Sequence, residues 1–278
     1  VRQVEQSAAL PSGGAVTPTG SGSGPPLLFL HGVGGAAWSW RPQIEAFGDE
    51  RTCFVWEARG HGSAPRVADA GLADYYTDAR EALAFVRERT ADGITLAGHS
   101  MGGLLAVALA AQSPDRINGL VLVDPVYPEG IGASAHDLGP FKPLVLQLMK
   151  PLVASFLNDG RLARLLSRWM FEHSFTDRAR METAWRDQRR QVPIEYPKMF
   201  FEAFGQPEGF PVLPFAESID VPVLAFNPRS ATLVATLERR LGARFACERM
   251  PGGHYLQLDR PDDVNGRLRR FLREQIDT

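Results

Sequence analysis

The chain reads as an α/β fold, a mainly parallel sheet flanked by helices, on three observations. Short apolar runs alternate with longer segments of helical spacing. The runs are apolar at successive positions instead of every second one, as strands buried on both faces are. One interval, 126–214, breaks the alternation with helical segments alone and reads as a helical cap inserted into the sheet domain. The expected organisation is therefore a core built from residues 1–125 and 215–278, with a cap at 126–214.

In chain order, 11–26 is rich in Gly, Ser, Pro and Thr and favours turns or a mobile lead-in, with short antiparallel edge strands expected at 1–4 and 15–17. Buried strands follow at 27–30, 52–56, 94–97, 120–123, 223–226 and 244–248. Helices are expected between them at 41–47, 72–89, 101–112, 231–241 and 262–273. Inside the cap, helical spacing covers 141–149, 161–171, 178–191 and 197–204. It is dense in aromatics, including Trp169, Phe171, Phe175, Trp185 and Tyr196, most of which suit packing of a small subdomain while a few would roof a cleft.

Composition excludes several function classes. The 278 residues are 44% hydrophobic with a net charge of −2, enough for a large core and without electrostatic bias towards nucleic acid or an anionic membrane. No apolar run approaches the roughly 20 residues of a membrane span, and the first 24 residues lack the apolar core of a secretory signal, so a cytoplasmic protein is expected. Cys53 and Cys247, both in expected strands, read as reduced core thiols, with pairing left open. No metal-ligand spacing, phosphate loop or dinucleotide fingerprint is present, and no cofactor is expected; the loop at 32–35 does not match G-x-G-x-x-G.

The chemistry is concentrated in Gly98-His99-Ser100-Met101-Gly102. A G-x-S-x-G string by itself is weak, but this one joins a strand-like run to a helix-like one, the context of a nucleophile elbow. Ser100 is the expected nucleophile. A serine hydroxyl needs a base, an acid to orient that base, and donors for the oxyanion. Of six histidines, only His254 lies in a loop after the last expected strand, behind Pro251-Gly252-Gly253, where the base belongs. The small-residue loop His31-Gly32-Val33-Gly34-Gly35 brings a backbone N–H near a substrate oxygen, making Val33 and Met101 the expected oxyanion donors. His99 is expected to point into the core and His61 to sit in a turn. His136 and His173 fall in the cap, where packing or solvent-facing roles fit better.

Together these residues resemble the α/β-hydrolase family over 27–271: Leu30-His31-Gly32, Arg59-Gly60-His61-Gly62-Ser63, the elbow with Gly103, Ser113-Pro114-Asp115-Arg116-Ile117 and Gly252-Gly253-His254 stand in the family's order. The resemblance implies an α/β-hydrolase fold and leaves the reaction open among esterases, lactonases, thioesterases, carbon–carbon hydrolases and some lyases. One departure is informative. Most members carry the acid shortly after the strand matching 223–226, but here Asn227-Pro228-Arg229-Ser230-Ala231-Thr232 holds no carboxylate. Asp124, at the end of the strand beside the elbow strand, takes the position used by zearalenone-type lactonases and some haloalkane dehalogenases; the latter use an aspartate nucleophile, against which Ser100 argues.

Asp124 is therefore the expected acid. A structural carboxylate at the Asp-Pro turn is the alternative, and Glu129 is the main substitute. Asp259 is expected to cap the final helix. The resulting expectation is a serine hydrolase acting on an apolar small-molecule ester or lactone, with Trp38, Trp40, Trp185 and Tyr196 lining the pocket. Carbon–carbon hydrolysis or acyl transfer on the same scaffold, and a ligand-binding receptor with low turnover, are the competing expectations.

Overall fold

The computed structural model describes residues 7–67, 70–125, 165, 168, 169, 171–191, 212–228 and 230–278. Among these residues eight strands are present: β1 (Ala8–Ala9), β2 (Ala15–Thr19), β3 (Gly24–Leu30), β4 (Arg51–Glu57), β5 (Ile94–His99), β6 (Ile117–Val123), β7 (Val223–Phe226) and β8 (Phe245–Glu248). They form one sheet in the order β1-β2-β4-β3-β5-β6-β7-β8. The pairs β1–β2 and β2–β4 are antiparallel, and every pair from β4 to β8 is parallel. The helices are α1 (Arg41–Phe47), α2 (Leu72–Arg87), α3 (Met101–Gln112), α4 (Arg178–Gln191), α5 (Val212–Ser218), α6 (Ala231–Leu241), the single turn α7 (Leu256–Asp259) and α8 (Pro261–Phe271).

Alternate side chains of each central strand feed two cores, because successive residues of a strand point to opposite faces. Leu28 and Leu30 pack with Leu83 of α2, Leu105 of α3 and Leu237 of α6. Leu27 and Phe29 pack on the other face with Phe47 of α1 and with Val264, Leu268 and Phe271 of α8. Helix α3 is buried without interruption from Met101 to Ala110, as an apolar helix covered on all sides must be. Helix α8 is amphipathic and begins with Pro261, Asp262 and Asp263 and ends with Arg269 and Arg270, which matches its charges to the helix dipole.

Two sequence expectations are corrected here. The stretch 11–26 is not a mobile lead-in, because Ala15 and Val16 are buried in β2 and β3 starts at Gly24. Among the described residues, β1 pairs only with Ala15 and Val16 of β2 and not with Pro18, and the β3–β4 register shifts between Gly24 and Leu27, around Pro25 and Pro26, where prolines are accommodated. Cys247 is exposed on edge strand β8, and only Cys53 is a core thiol, its pKa pushed up to about 12 by burial; both are free. The α4 expectation coincides with the structure, α5 lies where no helix was expected, and the expected segments 1–4, 141–149 and 197–204 lie outside the described residues.

Candidate active site

Parallel register brings the site together. Leu30 pairs with Gly98, His99 with Val123 and Val123 with Phe226, so the residues following β3, β5, β6 and β7 emerge side by side at the strands' carboxyl ends. Ser100 stands on the sharp turn from β5 into α3 at φ 54° and ψ −117°, a strained backbone for a residue with a side chain. Its N–H donates to Val123 O at 3.0 Å, which fixes the turn beside β6. The flanking glycines are required by close approach: a Cβ on Gly98 would lie 2.3 Å from Gly102 O, and one on Gly102 would lie 2.1 Å from Leu30 O.

Gly32 is against the elbow, since a Cβ built on it would fall 2.8 Å from Ser100 Cβ. The 32–35 loop is held at several points. His31 donates from Nδ1 to Gly32 O at 2.7 Å and accepts Ala58 N–H at Nε2, 3.1 Å. His61 donates from Nδ1 to Arg59 O and accepts Gly34 N–H at Nε2, 3.0 Å. From α4, Gln188 donates to Gly34 O at 3.2 Å. Both imidazoles must be neutral to accept, and burial lowers their pKa values to about 4 for His31 and about 3 for His61, the second depressed further by the first. His61 is thus a buried acceptor and not a plain turn residue. Among the described residues, Val33 N–H and Met101 N–H donate to no protein acceptor.

His254 and Asp124 meet across 130 residues of sequence. Nδ1 of His254 donates to Oδ2 of Asp124 at 2.7 Å, which leaves Nε2 as the basic nitrogen. Asp124 is buried, has φ 37°, and is fixed by its N–H to Phe226 O at 2.9 Å. The His254 ring is 4.7 Å from that of His99, whose Nε2–H donates to His254 O at 2.9 Å. His99 is indeed in the core, its pKa lowered well below the usual value by burial and then by His254. At the end of β7, Asn227 uses both ends of its amide on one residue: Nδ2–H donates to Met250 O, and Oδ1 accepts Met250 N–H, each at 2.9 Å.

Trp38 packs with Phe171 and Tyr255, ring centroids 6.1 and 5.7 Å away, and Trp185 is 5.4 Å from Phe171. Together they form an aromatic cluster beside the His254 loop. Trp40 lies instead in the core beneath the sheet, against Phe29. Tyr196, Glu129 and His136 lie outside the described residues, and His173 is exposed. Asp259 does not cap the final helix: α8 has no side-chain cap, and the carboxylate instead accepts from Gly253, Thr176 and Asp177. Burial would raise its pKa, but those hydrogen bonds outweigh burial and hold it below the usual carboxylate value.

Sequence reasoning also missed Glu57, a buried carboxylate at the end of β4. It accepts Ala37 N–H at 3.1 Å and Ser63 Oγ–H at 2.6 Å, tying the segment after the 32–35 loop to the turn at 60–63. A charged residue directly following the apolar run 53–56 was the available signal. Among the described residues no group of three His, Cys, Asp or Glu side chains could hold a metal ion, and no helix is long and apolar enough to cross a membrane.

Comparison with known proteins agrees with this architecture. The profile of the alpha/beta hydrolase family matches residues 27–267. An abhydrolase domain-containing protein, C22H12.03 of Schizosaccharomyces pombe, is 22% identical over 89% of this chain and 92% of its own length. The (E)-2-((N-methylformamido)methylene)succinate hydrolase of Acinetobacter baylyi is 36% identical over 107 residues, 38% of this chain and 40% of that protein. Among solved structures, a thermophilic esterase from Thermogutta terrifontis superposes with a TM-score of 0.73 at 19% identity, covering 97% of this chain and 98% of that one. The enol-lactonase from Burkholderia xenovorans LB400 does so with 0.66 at 19% identity, covering 97% and 100%.

Proposed function

The chain belongs to the alpha/beta hydrolase family, and from that membership we propose that it is a serine hydrolase cleaving a carboxylic ester or lactone with an apolar body. Ser100 Oγ attacks the carbonyl carbon while Nε2 of His254 takes its proton. Asp124 holds the imidazole in the tautomer with Nδ1 protonated and stabilises the cation that forms. The N–H groups of Val33 and Met101 receive the developing oxyanion. The imidazolium then protonates the leaving oxygen, and water, deprotonated by the same imidazole, cleaves the acyl-enzyme.

The observation that carries this proposal is the 2.7 Å bond from His254 Nδ1 to Asp124, next to a serine on a strained strand-to-helix turn. The aromatic cluster of Trp38, Phe171, Trp185 and Tyr255 favours an apolar substrate body. Residues 126–214 serve as the cap in this scheme, with α4 reaching the oxyanion loop through Gln188.

A fluorophosphonate probe tests the proposal first. The wild type is expected to label at Ser100, and Ser100→Ala to lose both labelling and several powers of ten in kcat while keeping its circular dichroism spectrum. Undiminished turnover in Ser100→Ala would end the proposal. A panel of aryl esters, macrolactones and diketones then separates ester and lactone cleavage from carbon–carbon hydrolysis.

A further inference from the structure

We propose that Asp259 is a positioning residue for His254, tying the 174–177 turn to the backbone next to His254 so that the imidazole is held in place only while that turn is docked. This rests on the assignment of His254 as the base.

The carboxylate accepts hydrogen bonds from two separate stretches of chain. Oδ2 accepts Gly253 N–H at 2.8 Å and Thr176 Oγ1–H at 2.6 Å; Oδ1 accepts Asp177 N–H at 2.8 Å; Thr176 N–H is shared between both oxygens at 3.1 Å. Gly253 immediately precedes His254. Asp259 is only 3% exposed and makes no ion pair with Lys or Arg among the described residues, so its charge depends on these neutral donors. A buried carboxylate stripped of such donors is costly. Undocking the turn would remove three of the four donor groups at once. Their loss leaves the carboxylate with Gly253 N–H alone, and the loop carrying His254 is then free to move to rehydrate it.

The backbone on the other side of His254 is bound to the same turn. Tyr255 N–H donates to Ser174 O at 3.2 Å, and the Tyr255 ring stacks on Phe175 at 5.3 Å and 12°. The approach is so close that a Cβ on Gly253 would lie 2.1 Å from Ser174 O. Asp259 is itself anchored by its N–H to Tyr255 O at 2.9 Å. From below, His99 holds His254 O to the elbow. His254 therefore sits between the catalytic strand ends and a turn of the inserted segment, and Asp259 is the charged group that joins them.

Two substitutions in the full chain test this. Asp259→Asn keeps the shape, but each oxygen now accepts a backbone N–H, so an amide turned either way sets its NH2 against a donor. Thr176→Val removes a single donor from the turn side. Asp259→Asn is expected to lower kcat and the fluorophosphonate labelling rate together by on the order of 10²-fold, with KM little changed, as displacement of a catalytic group by a fraction of an ångström to 1 Å does. It should also broaden or remove the downfield Nδ1–H proton resonance of His254. Thr176→Val should shift both readouts in the same direction by less. Asp262→Asn, which removes a nearby exposed charge, should shift neither. Wild-type kcat with an intact His254 resonance in folded Asp259→Asn overturns the proposal. If that variant does not fold, the same result in Thr176→Val overturns it. A wild type that neither labels nor turns over refutes the hydrolase assignment instead, and the His254 resonance still decides whether Asp259 positions the imidazole.

Discussion

Asn227 stands at the strand end where most members of the family it resembles carry the acid, and both ends of its amide are engaged by Met250. The carboxylate bonded to His254 Nδ1 comes from Asp124, one strand nearer the elbow. In the proposed mechanism Asp124 fixes the tautomer of His254 and stabilises the imidazolium, so Asp124→Asn should cost on the order of 10⁴ in kcat while the fold survives. Glu129→Gln should leave kcat near normal. Steady-state kinetics on the two variants checks both, and the reverse pattern would move the acid to Glu129. Asp124 was legible because it ends an apolar strand ahead of a proline. Asn227 stood out in the sequence only as the absence of a carboxylate, and its pairing with Met250 could not be read there because the two are 23 residues apart in sequence.

The strand-to-helix turn from β5 to α3 and the 32–35 loop form one mechanical unit. The loop is pinned by two neutral imidazoles from below and by Gln188 of α4 from the side, while the elbow leaves no room for side chains at its flanking glycines. Gly102→Ala would place a methyl carbon against Leu30 O, in the strand that leads into the 32–35 loop. Overpacking of this kind should cost about 3 kcal/mol, visible as a lowered urea midpoint, and should slow labelling of Ser100 more than stability alone explains. A wild-type midpoint would mean that β3 and α3 can separate freely. The glycines were readable from sequence, since their spacing around Ser100 states the crowding. The pins on the loop were not, because His61 and Gln188 reach it from other elements.

For the molecule as a whole, the buried histidines set an acid limit. In the unfolded chain an imidazole takes a proton near pH 6.5, whereas in the folded protein His31 resists until about pH 4 and His61 until about pH 3. The unfolded state therefore binds more protons across that window, and stability falls as the pH drops from about 6.5 towards 4. The loss reaches several kcal/mol for the pair, since each tenfold difference in proton affinity between the folded and unfolded chain is worth about 1.4 kcal/mol. Urea midpoints measured between pH 8 and pH 4.5 should be flat at the upper end and decline below about pH 6.5. His61→Gln, which keeps an acceptor for Gly34 N–H but carries no titrating proton, should flatten the decline; an unchanged slope would place the acid sensitivity elsewhere.

What the sequence by itself determined was local and periodic. Uninterrupted apolar runs fixed the strands that must be buried on both faces, the glycines at 98, 102 and 103 fixed the elbow, and chain order singled out His254. What only the tertiary structure decided was pairing over distance. It showed that Asp259 serves the 174–177 turn instead of α8, that Trp40 belongs to the core, that Cys247 faces solvent on an edge strand, and that His61 accepts from the 32–35 loop while His31 accepts from Ala58. The physical reason is that burial and hydrogen-bond satisfaction are properties of the assembled sheet and its covering helices. A polar residue carries the same letter whether it ends up in water or as the sole acceptor for a buried N–H, and its neighbours across the sheet decide which.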